Sequence, residues 1–178
     1  MIRCYVTDRR GGNVVRFAER AVTNAVDYIQ VREKDLPARE LFDLVCRIRE
    51  VAKGSRTRVL VNDRLDIALA AGVDGVQLPG NGLPAGRVRP FVSQLGVSVH
   101  SLEEAIAAEQ ARVDFVIFGP VFETPGKSSA GLDALRSVTS AVRVPVLAIG
   151  GIDEQTSPAV MKAGAAGFAA IRLFQFSE

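Results

Sequence analysis

Short apolar runs alternate along the chain with longer amphipathic stretches, and this alternation predicts the fold. Four of the runs share a local pattern, in which small residues lead through an Asp or Ala into a few apolar positions. The runs lack the strict alternation of a strand with one solvated face, so they are typical of strands buried on both faces. The four segments are 24–31, 71–78, 111–118 and 163–170.

The spacing of these segments indicates that a further strand lies between each pair. The shared Asp or Ala stands at positions 27, 74, 114 and 166, in steps of 40 to 52 residues. One strand and helix together take only about 20 to 30 residues. Other apolar runs fill the intervals and bring the predicted strands to eight. These added strands are 1–7, 57–61, 94–99 and 144–149.

Amphipathic stretches between the strands predict helices, and several of their ends carry recognisable signals. Ser101 and Glu104 have the spacing of a capping box, and Asp153 is an expected N-cap. Gly54 and Gly164 are expected to stop the helices before them. The main predicted helices are 38–53, 101–110, 132–141 and 154–163.

Eight alternating strand–helix units predict a compact (β/α)8 TIM barrel that occupies residues 1–178 as a single domain. A doubly wound open sheet is the alternative. Only seven residues follow Ile171, so the eighth helix is expected to be missing or truncated. The flank of the first and last strands would then be exposed, or covered by the partner in a homodimer.

Charge and composition narrow the class of protein. The chain has 22 Lys and Arg against 20 Asp and Glu, and no basic cluster, which argues against nucleic acid or an acidic membrane as a partner. No run of about 18 apolar residues is present, so no transmembrane helix is expected. Cys4 and Cys46 cannot form a disulfide framework. These features predict a cytoplasmic protein with reduced thiols.

The candidate chemistry follows the predicted strand ends, because the active site of a TIM barrel is built from residues just past the C-terminal ends of its strands. Gln30, Arg32 and Lys34 follow the second strand and form a hydrogen-bonding, cationic cluster suited to a phosphate or diphosphate. The alternative is that residues 32–35 are a solvated run of charges.

Two later loops could also contact an anion. Gly150 and Gly151 follow the seventh strand, where a backbone without Cβ atoms can approach a phosphate closely and the next helix could offer free N–H groups. A tight turn is the alternative for this pair. Lys127 lies in a Pro/Gly/Ser loop after the sixth strand. It is either a cation that closes over a ligand or a surface lysine.

A metal site is less clearly indicated. Asp63, after Asn62 at the end of the third strand, could be a magnesium ligand, since Mg²⁺ is held by one or two carboxylates together with substrate phosphates. A turn or helix-capping role for this pair is the alternative. His100 is the only histidine, which excludes a metal site built from histidines. A structural hydrogen bond is favoured for it over a role at the rim.

Taken together, five of these segments resemble the thiamin phosphate synthase/TenI family. The similarity extends from Tyr5 to about Phe174. It implies a TIM barrel and a transferase of thiamin biosynthesis that joins hydroxymethylpyrimidine diphosphate to thiazole phosphate and releases pyrophosphate. The partners implied are therefore small phosphorylated pyrimidine and thiazole substrates. The matching segments are 30–34, 61–64, 96–105, 118–127 and 148–152.

The resemblance also implies roles for individual residues. Those expected to hold the pyrimidine diphosphate are Gln30, Arg32, Lys34 and Asn62, with Ser98 on the pyrimidine. Those expected near the thiazole phosphate and the leaving group are Thr124, Lys127, Gly150, Gly151, Ile171 and Arg172. Asp63 is the implied Mg²⁺ ligand. The residues expected to act on the reacting groups are Arg32, Lys34, Ser98 and Lys127.

The chain departs from the family pattern at several positions. Gly82 replaces the second magnesium carboxylate, which predicts a weakened Mg²⁺ site. Gln77 stands where a His is usual, and Arg172 where a small hydroxyl residue is usual. The bulk and charge of Arg172 could either clamp a phosphate or fill its site.

Two alternatives to a synthase follow from these departures. The first is a tautomerase, because three segments are closer to the TenI branch, at 76–79, 98–105 and 121–124. That branch isomerises a thiazole carboxylate phosphate. The histidine that transfers the proton in that branch is replaced here by Pro120. The other alternative is a catalytically silent regulator that binds thiazole phosphate.

Overall fold

The chain forms a closed barrel of eight parallel strands, and the TIM-barrel prediction is confirmed. The computed structural model describes residues 1–126 and 128–176. Neighbouring strands pair in chain order, and the barrel closes between Ile2–Val6 and Gly167–Ala170. The strands are β1 Ile2–Val6, β2 Tyr28–Val31, β3 Arg58–Asn62, β4 Gly75–Leu78, β5 Gln94–Val99, β6 Phe115–Phe118, β7 Val146–Ile149 and β8 Gly167–Ala170.

Each strand is followed by a helix on the outside of the barrel. All the predicted strands are present, with ends that differ by a few residues from the predicted ones. Turns of 3₁₀ helix precede α1 and follow α4, at Arg9–Gly11 and Arg89–Phe91. The helices are α1 Val14–Thr23, α2 Ala38–Ala52, α3 Leu65–Ala71, α4 Ala85–Val88, α5 Leu102–Gln110, α6 Gly131–Ala141, α7 Ser157–Lys162 and α8 Arg172–Phe176.

The start of α5 follows the predicted capping pattern in part. Ser101 Oγ accepts a hydrogen bond from the Glu104 N–H at 3.2 Å. The Glu104 carboxylate, however, accepts from the N–H of His100 at 2.7 Å, one residue before the N-cap. The first interaction satisfies an N–H group that the first helical turn leaves without a partner, and the second fixes the backbone that enters the helix.

Helix α7 begins later than predicted, whereas the glycines after α2 and α7 stop these helices as predicted. Asp153 Oδ1 accepts from two following backbone N–H groups, yet the helix begins only at Ser157, three residues later than predicted. Asp153 therefore caps a turn that leads into the helix. Gly54 and Gly164 follow the ends of α2 and α7 with φ of 77° and 91°, the left-handed geometry expected where a helix stops.

The barrel interior is filled by apolar side chains and is closed at the N-terminal end of the strands. Tyr28 stacks on Phe115 with ring centroids 4.8 Å apart, and its hydroxyl donates to Gln94 Oε1 at 2.9 Å. Each of these three residues begins its strand. The buried residues packed together inside are Cys4, Val6, Leu60, Phe115, Ile117, Leu147 and Ala169.

The eighth helix is short, but it covers the flank of β1 and β8. Phe174 packs against the rings of Tyr5 and Phe168 with centroid distances of 5.7 and 6.4 Å, and both of these residues are buried. Gln175 is also buried and donates to the Asp8 carbonyl at 2.9 Å. The expectation of an exposed flank is therefore wrong, because one aromatic side chain on a single helical turn reaches across it. A homodimer remains a prediction.

Candidate active site

A wide cavity of about 660 Å³ opens at the C-terminal ends of the strands. It is the end at which TIM barrels carry their active sites. Most of the residues predicted from the sequence line it, although they come from segments far apart in the chain. The predicted residues that line the cavity are Gln30, Arg32, Lys34, Asn62, Ser98, Thr124, Gly150, Ile171 and Arg172. Their roles remain predictions.

Two of the predicted site residues that the structure describes do not line the cavity. Asp63 and Gly151 each directly follow a residue that does. Lys127 lies outside the described residues.

One wall of the cavity carries paired neutral hydrogen-bonding side chains. On β2 and β3, Gln30 Nε2 donates to Asn62 Oδ1 at 3.2 Å. On β5, Ser98 lines the cavity, and its Oγ accepts a hydrogen bond at 3.2 Å from Nε2 of Gln77 on β4, which does not line it. Because each amide is held by its neighbour, the remaining polar atoms of this wall have defined directions. Such a wall suits a flat heteroaromatic ring that has both donors and acceptors.

Gln77 itself is fully buried and only partly satisfied. Its Oε1 atom has no hydrogen-bond partner among the described residues. The backbone of Gly96 lies against this oxygen, and a Cβ at that position would be 2.0 Å from it. Glycine at 96 therefore makes room for the glutamine that replaces the usual histidine of the family.

The opposite wall is apolar. It is formed by side chains from β1, β6 and β7 and from the residue just after β8, so the two walls divide the barrel between them. These residues are Val6, Ile117, Ile149 and Ile171. An aromatic substrate could therefore rest one face on hydrocarbon while its edge meets the amides.

Two cations stand at the rim beyond β2. Arg32 is half-buried, Lys34 is exposed, and both line the cavity. No described carboxylate forms an ion pair with either of them, or with Arg172. Glu33, between the two, is 5% exposed and does not line the cavity. The alternative of a solvated charge run is therefore wrong at Glu33.

The second region expected to bind an anion is formed mainly by backbone. Gly150 and Gly151 have φ of 97° and 65°. A Cβ on Gly150 would lie 2.4 Å from the Cβ of Pro120, and one on Gly151 would lie 2.7 Å from the Cβ of Phe122. The glycines are required both by their left-handed backbone and by this close packing. Arg172, the first residue of α8, adds one exposed cation.

The helix after this glycine pair contributes less than the sequence predicts. The N–H groups of Gln155 and Thr156 are bound by the Asp153 carboxylate, and the Asp153 N–H is bound by the Thr156 hydroxyl. The same bonds lower the pKa of Asp153 below its ordinary value of 3.8. The expectation of free N–H groups here is wrong for these positions, because the turn satisfies its own donors.

The Asp63 carboxylate lies next to the loop that follows β4. Asp63 has φ of 65°, and a Cβ on Gly82 would lie 3.1 Å from its Oδ1 atom. No side chain caps α3, which begins at Leu65, so a capping role for Asn62 and Asp63 is wrong. The pair does form a turn, because the Leu65 N–H donates to the Asp63 carbonyl at 3.1 Å. Among the residues the structure describes, no group of three or more Asp, Glu, His or Cys could hold a metal ion. Gly82, the residue beside Asp63 in this loop, supplies no second carboxylate.

His100 forms the expected structural hydrogen bond and also lines the cavity. Its Nδ1 atom lies 2.6 Å from the carbonyl oxygen of Gly119. Glu104, which the sequence marked only as a capping residue, lines the cavity as well. Its position one turn after the end of β5 is the signal that could have placed it there.

The family model for thiamine monophosphate synthase matches residues 4–174, nearly the whole barrel. The chain belongs to this family. The resemblance read from the loop segments is confirmed.

Similar proteins and a solved structure support membership of the same family. A thiamine-phosphate synthase of Methanoculleus marisnigri is 40% identical over 176 residues, which cover 93% of this chain and 83% of that protein. A Geobacter sulfurreducens protein, provisionally named as the same enzyme, is 42% identical, with the same coverage of both chains. The structure of thiamine phosphate pyrophosphorylase from Pyrococcus furiosus superposes with a TM-score of 0.92 at 34% identity, covering 99% of this chain and 88% of that one.

No described helix has both the length and the apolar character needed to cross a bilayer. The cytoplasmic location remains a prediction.

Proposed function

We propose that the protein is a thiamine-phosphate synthase, which joins hydroxymethylpyrimidine diphosphate to thiazole phosphate and releases pyrophosphate. One observation supports this above all. Two cations on one side of the cavity and a third on another side form no direct ion pair with a described carboxylate, although the charge of Arg32 interacts with that of Asp8. Two anionic groups can therefore be held at once, above a cavity with one amide wall and one apolar wall. Family membership supports the same reaction.

In this reaction the bond between the pyrimidine methylene carbon and the diphosphate oxygen breaks, and its electron pair leaves with pyrophosphate. The lone pair of the thiazole nitrogen forms the new carbon–nitrogen bond, so no proton has to be removed by a base. What the protein must supply is stabilisation of the departing negative charge. Arg32 and Lys34 carry fixed positive charge at the rim for this purpose.

The two walls would orient the rings. The amides of Gln30 and Asn62, with the Ser98 hydroxyl, present hydrogen-bonding groups to the pyrimidine. Holding both reactants close and aligned accounts for much of the rate enhancement that an enzyme of this kind can give. On the other side, Gly150 and Arg172 would hold the thiazole phosphate.

Magnesium would be held by Asp63 together with oxygens of the diphosphate and water, and it would neutralise charge on the departing pyrophosphate. With Gly82 in place of a second carboxylate, we expect a higher Mg²⁺ requirement than a site with two carboxylates would have. A Gly82→Asp variant should lower the Mg²⁺ concentration that gives half-maximal activity. No change in that concentration would contradict Asp63 as the metal ligand.

The test of the proposed function is to incubate the protein with both substrates and Mg²⁺ and to measure thiamin phosphate and pyrophosphate in equal amounts. Omitting either substrate should abolish both products. If no product forms at high protein concentration while thiazole phosphate still binds, the silent regulator becomes the better description.

The tautomerase alternative lacks its proton-transferring group. Pro120 lines the cavity at the position of the histidine that the tautomerase branch uses, and proline cannot exchange a proton. We therefore expect no change in the ultraviolet absorbance of thiazole carboxylate phosphate on incubation with the protein. A change that depends on enzyme concentration would revive this alternative.

A further inference from the structure

Glu33 is a buried carboxylate placed between two side chains that line the cavity. Residues 30, 32 and 34 line the cavity, whereas Glu33, like Val31, is buried away from it. The alternation of β2 thus continues past the strand end. A carboxylate is rarely buried unless it has bonding partners that stabilise its charge, so the partners of Glu33 indicate what it does.

Those partners lie on the segment that follows β1. The Thr7 hydroxyl donates to Glu33 Oε1 at 2.6 Å, and the Arg9 N–H lies 3.2 Å from both carboxylate oxygens. The Arg9 guanidinium is 4.0 Å from Glu33 Oε2 and also pairs with the exposed Asp35. Glu33 therefore ties the loop after β2 to the turn after β1.

The Thr7 hydroxyl connects this carboxylate to Arg32. Its oxygen accepts a hydrogen bond from the Arg32 N–H at 2.9 Å, while its proton goes to Glu33. An ionised carboxylate can only accept, so Glu33 fixes the direction of the Thr7 proton and leaves the oxygen lone pair facing Arg32. Thr7 is fully buried, so water does not compete for either bond.

We propose that Glu33 is a positioning residue for diphosphate binding, which acts through Thr7 to hold the backbone of Arg32, and with it Lys34, in place before the ligand arrives. This deepens the proposed function and rests on its diphosphate half. Glu33 touches no substrate. Its contribution is to keep two mutually repelling cations ordered at the rim when no anion is there to hold them.

The decisive variant is Glu33→Gln, which keeps the shape but removes the charge. Pyrophosphate is titrated calorimetrically at fixed Mg²⁺, and the KM values of both substrates are measured. We expect pyrophosphate affinity to fall at least about tenfold, with a matching rise in the KM for the pyrimidine diphosphate. The KM for thiazole phosphate should change less than twofold. Glu40→Gln, on the exposed first turn of α2, is the matched control and should change neither.

Thr7 provides a second and independent test. Thr7→Val has nearly the same shape but lacks the hydroxyl, so it should reproduce the effect of Glu33→Gln. Thr7→Ser keeps the hydroxyl and should restore pyrophosphate affinity to within twofold of the wild type. If Glu33→Gln fails to fold, the Thr7 pair carries the test.

The outcomes separate this inference from the proposed function. A lowered Tm with unchanged pyrophosphate affinity would make Glu33 a purely structural residue. Equal losses of affinity for both ligands would indicate general disorder at the opening of the cavity. Either result overturns the inference, as does a wild type that binds no pyrophosphate. If the wild type makes no thiamin phosphate, yet binds pyrophosphate in a Glu33-dependent way, the inference stands and the proposed function fails.

Discussion

The two sides of the cavity that we propose to bind anions are built in different ways. On the β2 side, cationic side chains reach the rim and are supported from behind by the buried Glu33 and Thr7. On the β7 side, the backbone of Gly150 lines the cavity, and Gly150 and Gly151 pack directly against the segment after β6. The first side depends on charge and its support, whereas the second depends on the absence of side-chain atoms. Substitutions on the β2 side should therefore change the kinetics with the pyrimidine diphosphate, whereas substitutions of the glycines on the β7 side should first change the free energy of unfolding.

The largest effect is expected on the charged side. Arg32→Ala removes a cation that forms no direct ion pair with a described carboxylate, although its charge interacts with that of Asp8. Charge-assisted contacts to phosphate are among the strongest hydrogen bonds. We expect kcat/KM for the pyrimidine diphosphate to fall about hundredfold or more, with Tm nearly unchanged. Arg39→Ala, an exposed cation on α2, is the control and should keep full activity. Wild-type activity in the Arg32→Ala protein would place the diphosphate elsewhere.

On the β7 side, the first effect of a substitution should be a lower free energy of unfolding. Gly150→Ala combines a φ of 97° with a Cβ only 2.4 Å from Pro120. We expect the free energy of unfolding to fall by about 2 kcal/mol, measured by denaturant unfolding. Gly54→Ala separates the two causes, because Gly54 has φ of 77° but a Cβ added there would meet nothing within 4 Å. Equal losses in both variants would show that φ strain alone matters at Gly150.

Among the described residues that line the β7 side of the cavity, Arg172 is the charged one. Replacing it tests whether side-chain charge contributes to binding on this side as well. If Arg172 clamps the thiazole phosphate, Arg172→Ser should raise the KM for that substrate about tenfold and leave the KM for the pyrimidine diphosphate unchanged. A decrease in the thiazole phosphate KM would mean instead that the arginine occupies space needed by the ligand.

The smallest effect is expected at the turn that supports the backbone side. The Thr156 and Gln155 donors lower the pKa of Asp153, so the ionised form stabilises the folded state at pH values above the ordinary pKa of 3.8, and this stabilisation is lost as the pH falls through the folded-state pKa. Asp153→Ala should therefore lower Tm slightly at pH 7. The difference from the wild type should shrink as the pH is lowered through the acidic range. A constant difference across that range would rule out the carboxylate charge as its cause.

The barrel and most of the cavity lining could be predicted because both depend on local pattern. Buried parallel strands leave continuous apolar runs, and side chains that alternate at a strand end must point to one side. This is why Gln30, Arg32 and Lys34 could be grouped correctly from the sequence alone.

What the sequence could not predict depends on contacts between distant segments. The burial of Glu33 requires Thr7 and Arg9, which lie 26 and 24 residues before it. The cover over β1 and β8 requires Phe174 to reach Tyr5, at the other end of the chain. Local patterns carry no information about such pairs. The sequence therefore could not show that Glu33 is buried, or that the short α8 covers the flank of β1 and β8.

The closed floor of the barrel determines how molecules pass through the enzyme. The N-terminal end of the barrel is closed by Tyr28, Phe115 and Gln94. Both substrates therefore enter, and both products leave, through the cavity opening at the C-terminal ends of the strands. If one ring binds beneath the other, the deeper substrate has to bind first, and thiamin phosphate, which contains both rings, has to leave by the same opening. Steady-state kinetics should accordingly follow a compulsory order of binding and release, with the last product to leave acting as a competitive inhibitor of the first substrate to bind.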